Sequence, residues 1–140
     1  MAHVVSVPAH APWFDTDVHV VAGMLLRFRS IGVWVDAVIP CSADGYPAQL
    51  FYATGRPPRI PDDGRYFRLM GRIVPNGVVP TQDDPAQTFP IGVQGEHRVT
   101  TDGVLFVFAN DRTGYYWNNW GAITLTILTG EEGSDSWQGE

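Results

Sequence analysis

The chain has no lysine, a single cysteine and no long apolar run, and each absence removes a class of function. Without Lys there is no Schiff-base nucleophile, no Ser-Lys dyad and no phosphate-binding glycine loop of the kind that ends in Lys. With Cys41 alone, an internal disulfide and a cysteine zinc cluster are both ruled out, and the residue reads as a small, buried apolar side chain. No apolar stretch approaches the ~20 residues of a membrane helix. The first ten residues lack the basic start and apolar centre of a signal peptide. The expectation is a soluble chain, made in the cytoplasm, that does not insert into membranes.

Charge is also sparse. Charged residues make up 17% of the 140, and the formal net charge is −6. Four of the 15 acids, Glu131, Glu132, Asp135 and Glu140, sit in the last ten residues, so the rest of the chain is close to neutral. The nine Arg residues are scattered from Arg27 to Arg112. Nucleic-acid binders carry a basic stripe, and no such stripe is present here.

The chain is instead rich in turn formers, with 15 Gly and 11 Pro. Short apolar or alternating segments recur between them, a pattern that predicts an all-β sandwich. Strands are predicted over 4–7, 18–22, 24–31, 33–39, 66–73, 97–100, 104–109 and 122–128. Segments 24–31 and 33–39 read as a consecutive pair, and Asp102-Gly103 as a tight hairpin turn. Segment 104–109 is continuously apolar, as in a strand buried on both faces. Segments 40–61 and 74–90 read as ordered surface loops. Residues 1–129 form one predicted domain and 130–140 a disordered acidic tail, in which Trp137 has no evident role.

Between the last two strands lies Asn110-Asp111-Arg112-Thr113-Gly114-Tyr115-Tyr116-Trp117-Asn118-Asn119-Trp120-Gly121. Asp111, Asn118 and Asn119 supply side-chain oxygens and the backbone supplies more, which is the donor set of a hard cation such as calcium. The spacing is not that of an EF-hand loop. The same Asn and Asp residues also suit a simple hairpin turn.

Catalytic patterns are weak. Asp62-Asp63 and Asp83-Asp84 are adjacent pairs, and neighbours on a strand point to opposite faces, so neither is an acid and nucleophile couple. The four His residues lack metal-ligand spacing, and no Gly-x-Ser-x-Gly elbow occurs. An enzyme is not expected.

The order of features resembles the LecA-like bacterial lectins, a calcium-dependent, galactose-binding family. The matching segments are Pro12-Trp13-Phe14-Asp15-Thr16, Ser30-Ile31-Gly32-Val33-Trp34-Val35-Asp36, Leu69-Met70-Gly71-Arg72-Ile73 and Phe89-Pro90-Ile91-Gly92. The most specific match is the interval of seven residues from Asp111 to Asn118-Asn119, just after an apolar strand that ends in Asn-Asp. The resemblance implies a small jelly-roll-type β-sandwich of two antiparallel sheets. It implies calcium held by the Asp111 carboxylate, the Asn118 and Asn119 amide oxygens, and the carbonyls of Asp36 and Tyr115. Two vicinal hydroxyls of a galactoside would complete the shell. Asp63, Asp111, Arg112, Tyr115, Trp117, Asn118 and Asn119 become the candidate sugar contacts.

The chain also departs from the family. Tyr115, Tyr116, Trp117 and Trp120 replace small residues in the loop, and they either widen the sugar platform or pack the loop down. Ile60 and Asp63 fall where the family's sugar-contacting His and Gln stand. Two alternatives therefore stay open: a structural or oligomerisation module whose loop is calcium-stabilised or metal-free, and a module for another glycan. A homo-oligomer is expected, because multivalency raises the avidity of shallow sugar sites. Action outside the cell or at its surface would follow a non-classical route.

Overall fold

A computed structural model describes residues 2–47 and 58–130. These residues form twelve strands: β1 (Ala2–Pro8), β2 (Phe14–Val20), β3 (Leu25–Ile31), β4 (Trp34–Asp36), β5 (Ile39–Cys41), β6 (Tyr46–Pro47), β7 (Arg65–Tyr66), β8 (Leu69–Val74), β9 (Thr88–Pro90), β10 (Gln94–Arg98), β11 (Gly103–Ala109) and β12 (Asn119–Gly130). Three short 3-10 turns are the helical elements among the described residues. None is long and apolar enough to cross a membrane.

Two antiparallel sheets make the sandwich. One runs β10-β3-β12-β4-β5 with β1 on β12, and the other runs β2-β11-β8-β9. A β6-β7 ribbon stands apart. Alternation decides which side chains enter the core: Leu26, Phe28, Ile123, Leu125 and Ile127 from the first sheet meet Val18, Leu69, Leu105 and Val107 from the second.

Several expected elements differ from those found. Segments 24–31 and 33–39 do not pair with each other. β3 and β4 lie end to end along the same edge of β12, with Ile31 opposite Thr124 and Trp34 opposite Gly121. The missing side chain of Gly121 leaves room for Trp34, whose Cα lies 3.3 Å from where a Cβ would sit. Expected strand 33–39 is cut by a turn at Ala37 (φ 57°), and 66–73 by Phe67 (φ 65°). Left-handed backbone at such residues costs roughly 1–3 kcal/mol. At Phe67 this is offset by full burial of the ring, edge-on to Trp34 at 5.7 Å.

Asp102-Gly103 does not close a hairpin, because β10 pairs with β3 while β11 pairs with β2 and β8. Gly103 serves close approach instead: a Cβ there would lie 2.2 Å from the Val74 carbonyl oxygen. Strand β10 covers Gln94–Arg98 rather than 97–100, since that is the stretch in register with β3. The expected loops 40–61 and 74–90 contain short strands, and β11 leaves Val104 and Phe106 half-buried on its outer side. Strand β12 runs to Gly130, the first residue of the expected tail 130–140; the rest of that tail, with Trp137, lies outside the described residues.

Where β2 meets β11 the register shifts between Val104 and Phe106. Asp17 there has φ 59°, and the Thr16 hydroxyl donates to the Leu105 carbonyl over 2.7 Å. The buried carbonyl is thus satisfied by a side chain.

Candidate functional site

The loop from Asn110 to Asn118 leaves β11 in one sheet and enters β12 in the other, so it bridges the sandwich at one end. Asn110 anchors its start. This fully buried amide accepts from the Ile60 N–H at 2.8 Å and donates to the Ile60 and Arg65 carbonyls at 3.0 Å each. Its backbone pairs with Phe67 and Arg68, and Arg59 N–H donates to the Asp111 carbonyl at 2.8 Å. Segment 59–68 is thereby held against the loop.

Register then gathers the candidate ligands. Asn119 on β12 stands opposite Asp36 on β4, and the Ala37 N–H donates to the Asn118 carbonyl at 3.2 Å. Asp36, Asp111 and Asn119 are all buried. Asn119 Nδ2 donates to Asp111 Oδ2 at 2.8 Å and to the Ala9 carbonyl at 3.2 Å. Asp111 Oδ1 accepts the Arg112 N–H at 2.7 Å. The Tyr46 hydroxyl donates to Asp36 Oδ2 at 2.5 Å.

The electrostatics of this cluster are unbalanced. Burial pushes the Asp111 carboxyl up to about 7; the Asn119 hydrogen bond opposes the shift and the Asp36 charge adds to it. Asp36 is raised by burial, against the Tyr46 hydrogen bond. Asn118 Oδ1 and Asn119 Oδ1 are also buried without any hydrogen-bond donor, the second on the amide bonded to Asp111. Buried acceptors are normally paired, so this surplus of oxygen over donor needs an explanation. Among the described residues no group of three or more His, Cys, Asp or Glu is placed to hold a metal, and the set is of mixed carboxyl and amide oxygens.

The aromatic residues divide into two roles. Tyr116 is buried and packs the loop down: its hydroxyl donates to the Ala109 carbonyl and accepts from Arg59 Nη1 at 3.0 Å. Burial pushes this phenol up to about 12. Trp117, in contrast, is 78% exposed. Tyr115 is exposed beneath the Arg112 guanidinium, which lies 4.3 Å from its ring centre. Trp120 is exposed, with its indole N–H on the Ala37 carbonyl at 3.1 Å.

Asp63 is placed near the loop, but its carboxyl turns inward. It faces Arg68 Nε at 3.3 Å, an ion pair without hydrogen-bond alignment, and its side chain is 8% exposed. Burial raises its pKa, while Arg68 and Arg65 lower it. Ile60 is buried with Met70 and Phe108. Cys41 is half-buried rather than buried, and desolvation, with help from the Asp36 charge, pushes its thiol up to about 12.

Two residues important to this site give no signal in the sequence, and Asn110 shows there only as part of the Asn-Asp that ends an apolar strand. Tyr46 reaches Asp36 from a two-residue strand. Arg59 has a side chain only 4% exposed; its guanidinium lies 3.6 Å from the Phe108 ring centre and 4.2 Å from that of Trp13, and it pairs with Asp83 at 2.6 Å.

No protein-family model matches the chain, and no curated protein matches it. Among solved structures, it is similar to the N-terminal domain of EclA, described as a PllA-like lectin, with a TM-score of 0.60 and 18% identity over 91% of this chain and 95% of that one. A periplasmic inhibitor of g-type lysozyme, PliG of Aeromonas hydrophila, superposes at a TM-score of 0.45 with 8% identity, covering 93% of this chain and 85% of that one. At 18% identity the likeness to the lectin domain is one of architecture: the all-β sandwich of this chain has the fold of a PllA-like lectin domain.

Proposed function

We propose that the protein is a non-enzymatic, calcium-dependent carbohydrate-binding protein, with galactosides as its first ligand class. The observation that carries this reading is the pair of buried amide oxygens left without donors, Asn118 Oδ1 and Asn119 Oδ1, the second on the amide that hydrogen-bonds Asp111. Buried acceptors in surplus over donors are stabilised by a cation, and an all-oxygen set suits calcium.

Asp111, Asn118 and Asn119 would hold the ion through side-chain oxygens, with the carbonyls of Asp36 and Tyr115. Calcium bound there would supply coordination for two adjacent sugar hydroxyls. Around it, Trp117 offers an exposed apolar ring to the sugar's apolar face, and Arg112 and Tyr115 form a stacked pair at the rim. Asp63 has the smallest part, because contact with a sugar would require it to leave Arg68. That same departure favours the alternative of another glycan. The structural-module alternative is favoured by Tyr116 and Arg59, which anchor the loop through protein groups alone.

Calorimetric titration of galactose, with calcium and again after chelation, tests the proposal. Binding that vanishes on chelation supports it. Absence of galactose binding with a calcium-dependent rise in melting temperature would shift the reading to another glycan or a structural module. No response to calcium would overturn it.

A further inference from the structure

We propose that a cleft on the outer face of the four-stranded sheet binds small ligands that carry a cationic head on an apolar body. Alternation sets its floor: Leu105 and Val107 fill the core, so Val104 and Phe106 point outward from β11 and stay half-buried. Trp13 and the turn over 75–80 wall this floor and enclose a cleft of about 480 Å³. Sites for small molecules span roughly 300–1,000 Å³. Among the described residues that line it, none is a candidate calcium or sugar ligand, so this is a second site.

Packing holds the walls in place. Trp13 meets Phe108 with ring centres 5.2 Å apart and joins the small cluster of Ile60, Met70 and Phe108, which fixes one end of the cleft. The turn is closed by the Val78 N–H, which donates to the Pro75 carbonyl at 3.1 Å. Surface turns are normally completed by small or polar residues. Here Asn76-Gly77 is followed by two valines, Val78 at 51% and Val79 at 78% exposed, and both line the cleft. Apolar side chains shown to water beside a concave apolar floor mark a place where a ligand is buried.

Charge selects the ligand. Among the described residues of the wall, Asp15 alone is charged. It stands opposite Phe106 across the β2–β11 pair, and its Oδ1 accepts the Asp17 N–H at 2.8 Å, which steadies the carboxylate while leaving it exposed. In the next row His19 stands opposite Val104 and contacts Asp17 at 3.3 Å, which adds a second acid along β2. Arg72 flanks Phe106 on its other side but does not line the cleft: its Nη1 donates to the Gln82 carbonyl at 2.6 Å. A cation at Asp15 therefore meets a carboxylate and the neighbouring Phe106 and Trp13 rings, whose faces attract positive charge. A neutral ligand of the same shape gains only the apolar floor, and an anion meets Asp15 as a like charge.

Amide NMR of the full chain in a chelator tests the proposal with a readout that involves neither calcium nor sugar. The probes share one shape: naphthylmethylammonium, the neutral naphthylmethanol and the anionic naphthoate. The ammonium should shift the amides of Trp13, Asp15, Val78, Val79, Val104 and Phe106 to saturation. It should bind about fivefold more tightly than the alcohol, with the naphthoate weakest. Asp15→Asn keeps an acceptor for the Asp17 N–H and should lower the ammonium to the affinity of the alcohol without changing the alcohol's own. Val78→Ser combined with Val79→Ser, on the exposed turn, should weaken both. Shifts that never saturate or that fall elsewhere on the protein, naphthoate binding as tightly as the ammonium, an ammonium preference that survives Asp15→Asn, or affinities unmoved by the two serines would each overturn the proposal.

Discussion

Asn119 donates its amide nitrogen to the Asp111 carboxylate over 2.8 Å, and this one bond fixes which way the amide points. With Nδ2 committed to Asp111 and to the Ala9 carbonyl, Oδ1 is left in buried space without a donor. The reverse orientation would set oxygen against carboxylate. The surplus of acceptors is therefore a consequence of the network.

The pH dependence of the metal-free protein follows from Asp111. Its folded-state pKa, about 7, lies above the ordinary 3.8, so the folded state retains a proton that the unfolded state has lost. Stability without metal should be greatest below pH 4, fall as pH rises from about 4 to 7, and level off above, by on the order of 4 kcal/mol. Asp36 is raised as well and acts in the same direction. Thermal melts in a chelator across this range should show the fall, and Asp111→Asn should flatten it. A melting temperature that instead rises toward pH 7 would contradict the assignment.

Asn118→Ala separates a ligand from a structural residue. Its Oδ1 has no donor to lose, so the chelated variant should stay within about 0.5 kcal/mol of wild type. The rise in melting temperature on adding calcium, and galactose binding with it, should disappear. Asp111→Ala should also abolish both, and sugar binding that survived Asp111→Ala would remove the lectin reading.

Tyr46→Phe takes the donor from a buried carboxyl. It should cost about 1–3 kcal/mol in urea denaturation, with Asp36 pushed further upward. Because Tyr46 holds only the side chain of Asp36, calcium binding through the Asp36 carbonyl should persist.

Arg59→Ala should be far more damaging than its place in a turn suggests. The side chain joins Asp83, the Pro12 carbonyl and Tyr116 while stacking on Phe108 and Trp13. A loss of about 3 kcal/mol is expected, with Asp83 left partly exposed and so able to rehydrate. Arg59→Lys should recover little, because an ammonium cannot reproduce the planar stacking. Denaturant titration of both variants checks this.

Trp117→Ala and Tyr116→Phe should have opposite signatures. Trp117 is exposed, so its loss should leave stability within about 0.5 kcal/mol but weaken sugar binding. Tyr116→Phe removes both hydrogen bonds of a buried hydroxyl, to the Ala109 carbonyl and from Arg59, and should cost about 1–3 kcal/mol while leaving the sugar platform in place. Melting curves and calorimetry on both variants separate the roles.

The sequence by itself determined the class of the fold. Alternation in 24–31 and 122–128, turn formers between short apolar segments, and the absence of any long helical period leave a β-sandwich as the architecture that buries those side chains. It also marked Asp111, Asn118 and Asn119, because they lie close together in one loop and their chemistry can be read locally. Tertiary structure alone decided what lies far apart in the chain. Asp36 joins the loop through strand pairing with Asn119, Tyr46 arrives from β6 and Arg59 from the turn before Pro61, and Asp63 turns to Arg68. Pairing between strands is non-local: β3 and β4 look like a hairpin in sequence, yet both lie along β12, because the longest apolar strand offers an edge long enough for both. The division between buried Tyr116 and exposed Trp117 has the same cause, since two adjacent aromatics are equivalent in sequence until one finds the Ala109 carbonyl beneath it.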